Sequence, residues 1–162
     1  MRLLLEELRG EWRGLDARIA DFDREILNSA RDDDASRRLM QVPGIGPLTA
    51  SALVAAIGQA EHFRRGRDLA AWLGLVPKQK TTGGKPTLLG ISKRGNIYLR
   101  YLLIHGARAV VSRLAQQQTV LGSWLRRLLA RRHPNIVVVA LAAKLARIAY
   151  AVLAHGRQFQ AA

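Results

Sequence analysis

The stretch Leu39-Met-Gln-Val-Pro-Gly-Ile-Gly-Pro-Leu-Thr-Ala-Ser-Ala-Leu53 decides the fold. Helix-forming residues run from Ala35 to Gln41, stop at Pro43, and resume after Pro47, with Gly44 and Gly46 between the prolines. Proline has no amide hydrogen and a fixed φ, so it ends a helix it follows yet suits the first turn of the next one. Glycine adopts the backbone conformations that close a tight turn. Residues 35–58 are therefore expected to form two helices flanking Pro43–Pro47. Ala50, Ser51 and Ala52 are small enough to let them pack closely.

That pattern, over residues 37–58, resembles a helix-hairpin-helix element. The amides of Gly44, Ile45 and Gly46 carry little side-chain bulk around them and can approach a phosphate. The helix starting near Pro47, with Thr49 in its first turn, adds partial positive charge at its N-terminus. Such contacts hold the nucleic-acid backbone and do not read bases. An ordinary helical hairpin that needs glycines in order to turn is the competing explanation.

Working outward, residues 1–34 form an N-terminal arm. Leu5, Leu8, Trp12, Leu15, Ile19, Phe22 and Ile26 alternate spacings of three and four, the seam of a coiled coil. Two outcomes stay open for this seam: self-association, or packing on the chain's own globular part. Asn28, Ser29 and then Asp32, Asp33 and Asp34 mark a break, with an aspartate capping the helix that follows. Residues 35–162 form the second unit. Helical periodicity is expected at 66–75, 96–115, 120–131 and 135–154, the last break set by His133-Pro134-Asn135. Between them, 77–95 is expected to be one long loop, because four glycines and two prolines exclude regular helix there. The fold class is mainly α: a coiled-coil helix, then a compact helical domain carrying the hairpin element and a basic, glycine-rich loop.

Charge narrows the partner. The chain of 162 residues has a net charge of +14. Residues 1–40 hold 10 of the 12 acidic residues against 8 basic ones, a net of −2. Residues 41–162 hold 18 basic residues against Glu61 and Asp68, a net of +16. A domain that positive calls for a polyanion, and lysine and arginine gain affinity by releasing counterions from phosphates. An arginine-rich composition without a bound partner is the competing explanation. There is no cysteine, hence no disulfide and no thiolate site. The opening MRLLLEELRG is unlike a signal peptide, and the longest apolar run, Ile136–Ala143, is shorter than a membrane span, so a cytoplasmic protein without membrane contact is expected.

The loop 77–95 carries the chemistry. Lys78, Lys80, Lys85, Lys93 and Arg94 supply cations, Gly83 and Gly84 allow close backbone approach, and Thr82 and Ser92 supply hydroxyls that can bind or attack a phosphate. Arg100 follows as a further phosphate contact. Gly83-Gly84-Lys85-Pro86-Thr87 lacks the spacing of a Walker-type phosphate loop, and no strand is expected before it. His62, His105, His133 and His155 are scattered without metal-ligand spacing, and Asp32–Asp34 are adjacent rather than convergent, so no metal site is assigned.

The blocks PGIGPLTASALVAAIG (43–58), FRRGRDLAAWLGLVPKQKTTGGK (63–85), GISKRGNIYLRYLLIHGARA (90–109) and ALAAKLARIAYAVLAHG (140–156) follow in order. Together they resemble the C-terminal transposase domain of the DEDD-type insertion-sequence transposases, which are bridge-RNA-guided recombinases. The resemblance covers Leu39 to Gly156, and the preceding helix is similar to the family's dimer-forming coiled coil. It implies DNA as substrate, a guide RNA as partner, and a homodimer or mixed dimer through the N-terminal helix. It also implies a separate metal-dependent nuclease domain, and a serine nucleophile in a Ser-Gly pair. Here that pair is Thr82-Gly83, so Thr82 stands at the nucleophile position and Ser92 is a second candidate. No segment matches the nuclease domain, so a truncated or split copy without autonomous activity is expected, with magnesium entering only together with that domain. A stand-alone helix-hairpin-helix binding or interfering protein is the other expectation.

Overall fold

A computed structural model describes residues 2–160; the outer limits of the two units expected from sequence, 1 and 162, lie outside them. The elements run α1 (Arg2–Asp32), α2 (Asp34–Met40), α3 (Pro47–Ile57), α4 (Gly66–Trp72), β1 (Pro77–Thr82), β2 (Lys85–Ile91), α5 (Ile97–Gln116), α6 (Val120–Leu129) and α7 (Pro134–His155). The molecule is mainly helical, as expected.

The core forms around α7, which packs on α5, α4, α6 and α2. Leu141, Leu145 and Ala149 of α7 meet Leu99, Leu103 and Ala107 of α5 in one buried cluster with Leu39, Leu53, Leu69 and Leu73. Alanine at 142, 146 and 149 keeps the α7 surface low enough for several helices to approach it at once. The helix is long and apolar enough to cross a membrane on composition alone, which the shorter run at 136–143 does not suggest; here it is the central helix of the core.

Helix boundaries follow local chemistry. Asp33 caps α2, its carboxylate accepting the Ser36 amide at 2.7 Å. Hydrogen bonding from Ser36 holds the Asp33 carboxyl below its ordinary value of 3.8. Asn96 caps α5 by accepting the Leu99 amide at 3.0 Å, and Thr119 caps α6 by accepting the Gly122 amide at 3.0 Å. Arg126 of α6 donates to the carbonyls of Ala115 (2.8 Å) and Gln117 (2.9 Å), closing the carbonyl end of α5.

One expectation is corrected. Residues 77–95 are not one long loop: β1 and β2 pair antiparallel, with Thr82 opposite Lys85, Lys80 opposite Thr87 and Gln79 opposite Leu88. Gly83 (φ +59°) and Gly84 (φ +77°) form the two-residue turn, both in the left-handed region that suits the strand twist of a tight hairpin. A strand therefore does precede Gly83, although the spacing still differs from a Walker loop. Pro77 and Pro86 are tolerated because neither strand has a neighbour on its outer edge. For α1, the structure speaks to one of the two open outcomes. Its seam from Leu5 to Phe22 does not pack on the chain's own globular part; those residues are 55–69% exposed. Contact begins only with half-buried Ile26 and Leu27 and buried Ala30, where α1 meets α2 and α3.

The α2–α3 turn is locked onto α5. Gly44 (φ +91°) lies against Gly106, and a methyl group on Gly106 would overlap the Gly44 carbonyl oxygen. Helix propensity alone makes Gly106→Ala stabilising by up to about 1 kcal/mol. The overlap predicts the opposite sign, a loss of roughly 1–3 kcal/mol. In urea unfolding, Gly106→Ala is expected to lower the midpoint, whereas Gly14→Ala, in open space on α1, is expected not to.

Candidate nucleic-acid interface

The first surface is the α2–α3 turn. Val42 and Ile45 are buried anchors, and the Ile45 amide donates to the Val42 carbonyl at 3.0 Å. Between them Pro43 and Gly44 are half-buried, Gly44 lying against Gly106, and Gly46 is exposed with φ −89° as the N-cap of α3. Glycine has no side chain to cap the helix, so the first-turn amides of α3 receive no side-chain acceptor. The turn borders an open hollow of about 520 Å³, closed on its other side by Gly106, Ala109 and Arg113 of α5. An uncapped helix start, bare backbone and one arginine are the parts of an anion site.

Among the hairpin residues expected to bind, Gly44, Ile45 and Gly46 line the hollow, whereas Thr49 does not. Ile45 and Thr49 are both buried, at 3% and 7% exposure, so only their backbone can take part. Arg113 was not singled out from sequence, although its spacing from Gly106 and Ala109 (seven and four residues) puts all three on one stripe of α5.

The second surface is the β-hairpin. Alternation along the strands and the observed register place Lys80 and Thr82 of β1 on one face with Thr87 and Lys85 of β2. Lys78 is in the same alternation, beside an irregularity in pairing between Pro77 and Gln79. Every residue from 77 to 90 is exposed, so the lysines, Thr82, Gly83 and Gly84 are all accessible. Among the described residues no carboxylate or imidazole is hydrogen-bonded to Thr82. Ser92 is half-buried at the hairpin base, its amide bound to the Val76 carbonyl at 2.8 Å, and so serves as an anchor. Lys93 (φ +56°) donates its amide to the Gly74 carbonyl at 3.1 Å, leaving its side chain and that of Arg94 exposed.

Arg100 has a different place from the one expected. It is 9% exposed and donates from Nη1 to the Leu73 carbonyl at 3.0 Å. The guanidinium ties α5 to the end of α4, beside Gly74, and is not directed at solvent. Carboxylates are few. Asp34 bridges Arg37 and Arg38, and Asp68 pairs with Arg65; from Leu69 to Ala162 the sequence contains no acid at all. Among the described residues no three His, Cys, Asp or Glu side chains converge on one point.

The profile described as "Transposase IS116/IS110/IS902 family" matches residues 36–120, more than half of the chain. The chain belongs to this family. It is 54% identical over 150 residues to a "Probable family 20 transposase" of Pseudomonas aeruginosa, covering 93% of this chain and 44% of that protein. It is 44% identical over 156 residues to a "Transposase for insertion sequence element IS1328" of Yersinia enterocolitica (96% and 47%). It is 42% identical over 153 residues to a "Transposase for insertion sequence element IS1111A" of Coxiella burnetii (94% and 42%). The chain thus spans less than half the length of these relatives. The family match contains the α2–α3 turn, the hairpin and all of α5, so both surfaces lie inside the shared segment.

Arg100 and Arg113 of α5 are separable. Arg100→Gln is expected to lower unfolding stability by roughly 1–3 kcal/mol, since it abandons a buried carbonyl. Arg113→Gln is expected to leave the unfolding midpoint unchanged and to reduce the salt slope of DNA binding by about 1. Unchanged stability in the first variant, or an unchanged slope in the second, overturns that division of roles.

Proposed function

We propose that this chain is the nucleic-acid-binding part of an insertion-sequence transposase. In it, α2 and α3 act as a helix-hairpin-helix that grips the DNA backbone, and the lysine face of the β-hairpin contacts further phosphates. The observation that carries this is the uncapped start of α3, opening into a hollow lined by Gly46 and Arg113, in a domain with no carboxylate after Asp68. Domain limits are set at 1–34 for the arm and 35–162 for the binding domain.

By the family resemblance, Thr82 occupies the position of a nucleophilic serine. Its place at the exposed end of β1, next to the Gly83-Gly84 turn, suits a hydroxyl that must reach a phosphorus. Attack by Thr82 Oγ1 forms a phosphodiester to the side chain and breaks one P–O bond of the strand; the threonine proton passes to a base outside this chain, and the leaving oxygen of the adjoining nucleotide takes a proton from solvent and departs as a hydroxyl. By the family resemblance, metal-assisted cleavage would belong to the separate nuclease domain. A guide RNA is the second polyanion proposed for the basic surfaces, in keeping with the bridge-RNA-guided family. The exposed seam of α1, on a helix about 46 Å long, supports pairing with a second α1 in a homodimer or mixed dimer. With α7 built into the core, no membrane contact is proposed.

Gly46→Asp is the test of the grip. Aspartate is a favoured N-cap, φ at 46 is ordinary, and no atom lies near the added Cβ. The fold is therefore retained while a carboxylate enters the hollow. Duplex affinity at low salt is expected to fall by about tenfold or more; binding equal to that of the parent overturns the assignment. For Thr82, the chain is mixed with a full-length family transposase and a DNA strand designed to trap covalent intermediates. A protein–DNA adduct retained in Thr82→Ser and lost in Thr82→Ala is expected, and an adduct on this chain that survives Thr82→Ala excludes the role.

A further inference from the structure

We propose that the outward face of α5 is a stacking platform for unpaired bases, so that the nucleic acid held by this domain includes a single-stranded or looped segment. This rests on the nucleic-acid binding proposed above. At 100° per residue, Ile97, Tyr98, Tyr101, His105 and Arg108 fall on one stripe of the helix. Tyr98 is 54% and Tyr101 60% exposed. Tyr101 and His105 already lie ring against ring, with centroids 4.1 Å apart and planes tilted by 41°. Large aromatic rings gathered on one exposed stripe signal a surface that is covered when the protein works.

Charge says by what. Neither α5 nor any later residue contributes a carboxylate, whereas Arg108 shares the stripe and Lys93 and Arg94 lead into the helix. The fitting partner is a polyanion that also offers π faces. In a duplex the base faces are occupied by each other; in single strands, loops and bulges they are free to stack on aromatic side chains and arginine. The stripe is continuous with the proposed grip, because Ala109 and Arg113 of the same helix line the hollow beside Gly46. One helix thus brings phosphate contacts and base contacts to the same strand, and the partner's unpaired bases sit next to the backbone held at the α2–α3 turn.

The experiment uses the full chain with three probes: a short 2-aminopurine-labelled DNA single strand, the RNA of the same sequence, and the blunt duplex. Tyr98→Leu/Tyr101→Leu is expected to weaken single-strand binding by about tenfold and to abolish the protein-induced change in 2-aminopurine fluorescence. Duplex affinity and the salt slope are expected to stay as in the parent, and Tyr98→Phe/Tyr101→Phe restores single-strand binding. Whichever of the DNA and RNA strands shows the larger loss identifies the natural source of the unpaired bases. Circular dichroism checks that the exposed substitutions leave the fold intact. Single-strand binding by the leucine variant equal to that of the parent, or an equal loss on the duplex, overturns the platform. If duplex binding then still falls in Gly46→Asp, the backbone grip stands without it. If the parent binds none of the three probes, nucleic-acid binding itself is overturned and the platform with it.

Discussion

The backbone of Gly44 sits where a side chain on Gly106 would have to be, and much of the molecule's surface chemistry depends on that contact. Irregular backbone is hard to hold, since it buries little apolar area and leaves polar groups to satisfy. Here the α2–α3 turn is pressed onto a straight helix through two residues without side chains, with Val42 and Ile45 buried on either side as pegs. The same device appears at the hairpin base. Gly74 and Gly95 approach so closely that a methyl group on Gly95 would overlap the Trp72 carbonyl oxygen, and one on Gly74 the Arg94 carbonyl oxygen. A two-stranded hairpin is marginal on its own; hydrogen bonds from Ser92 and Lys93 to Val76 and Gly74 give it a fixed root.

Those anchors explain why the basic residues divide into two kinds. Buried Arg100 and exposed Arg126 donate to carbonyls of Leu73, Ala115 and Gln117, groups left over where α4 and α5 end. They hold elements together. Lys78, Lys80, Lys85, Lys93, Arg94 and Arg113 are exposed, on the hairpin or beside the hollow. The carbonyl-bound arginines thus position the surfaces on which the other exposed cations stand.

Helices and their ends were legible in the sequence because their signals are local. Asp33, Asn96 and Thr119 are good caps three residues before an amide that needs one, and Pro47 and Pro134 suit first turns. The hairpin was not legible as strands, because β1 is Pro-Lys-Gln-Lys-Thr-Thr and has no apolar alternation to announce it; the turn signal Gly83-Gly84 was present, but glycine and proline counts pointed to loop. The role of Arg100 was hidden for another reason. A cation next to a basic segment looks like its neighbours until helix phase is fixed, and phase turns Arg100 to the buried side and Arg113 towards the turn. The seam of α1 could be recognised as a seam, yet whether it meets its own domain depends on the angle at which α1 leaves α3, which no periodicity encodes.

The distribution of carboxylates makes the same division at the scale of the chain. On α1 and α2 acids and bases alternate and pair at spacings of three and four, as in Asp21 with Arg24 and Asp34 with Arg37. Such exposed pairs add little stability, and the arm carries a net negative charge opposite to that of the domain it precedes. Beyond Asp68 no carboxylate remains to neutralise the cations internally. Any compensation for the positive charge of α5, the hairpin and the α2–α3 turn must come from outside the fold, from salt or from a bound polyanion. A bound polyanion would relieve the repulsion this leaves in the free domain.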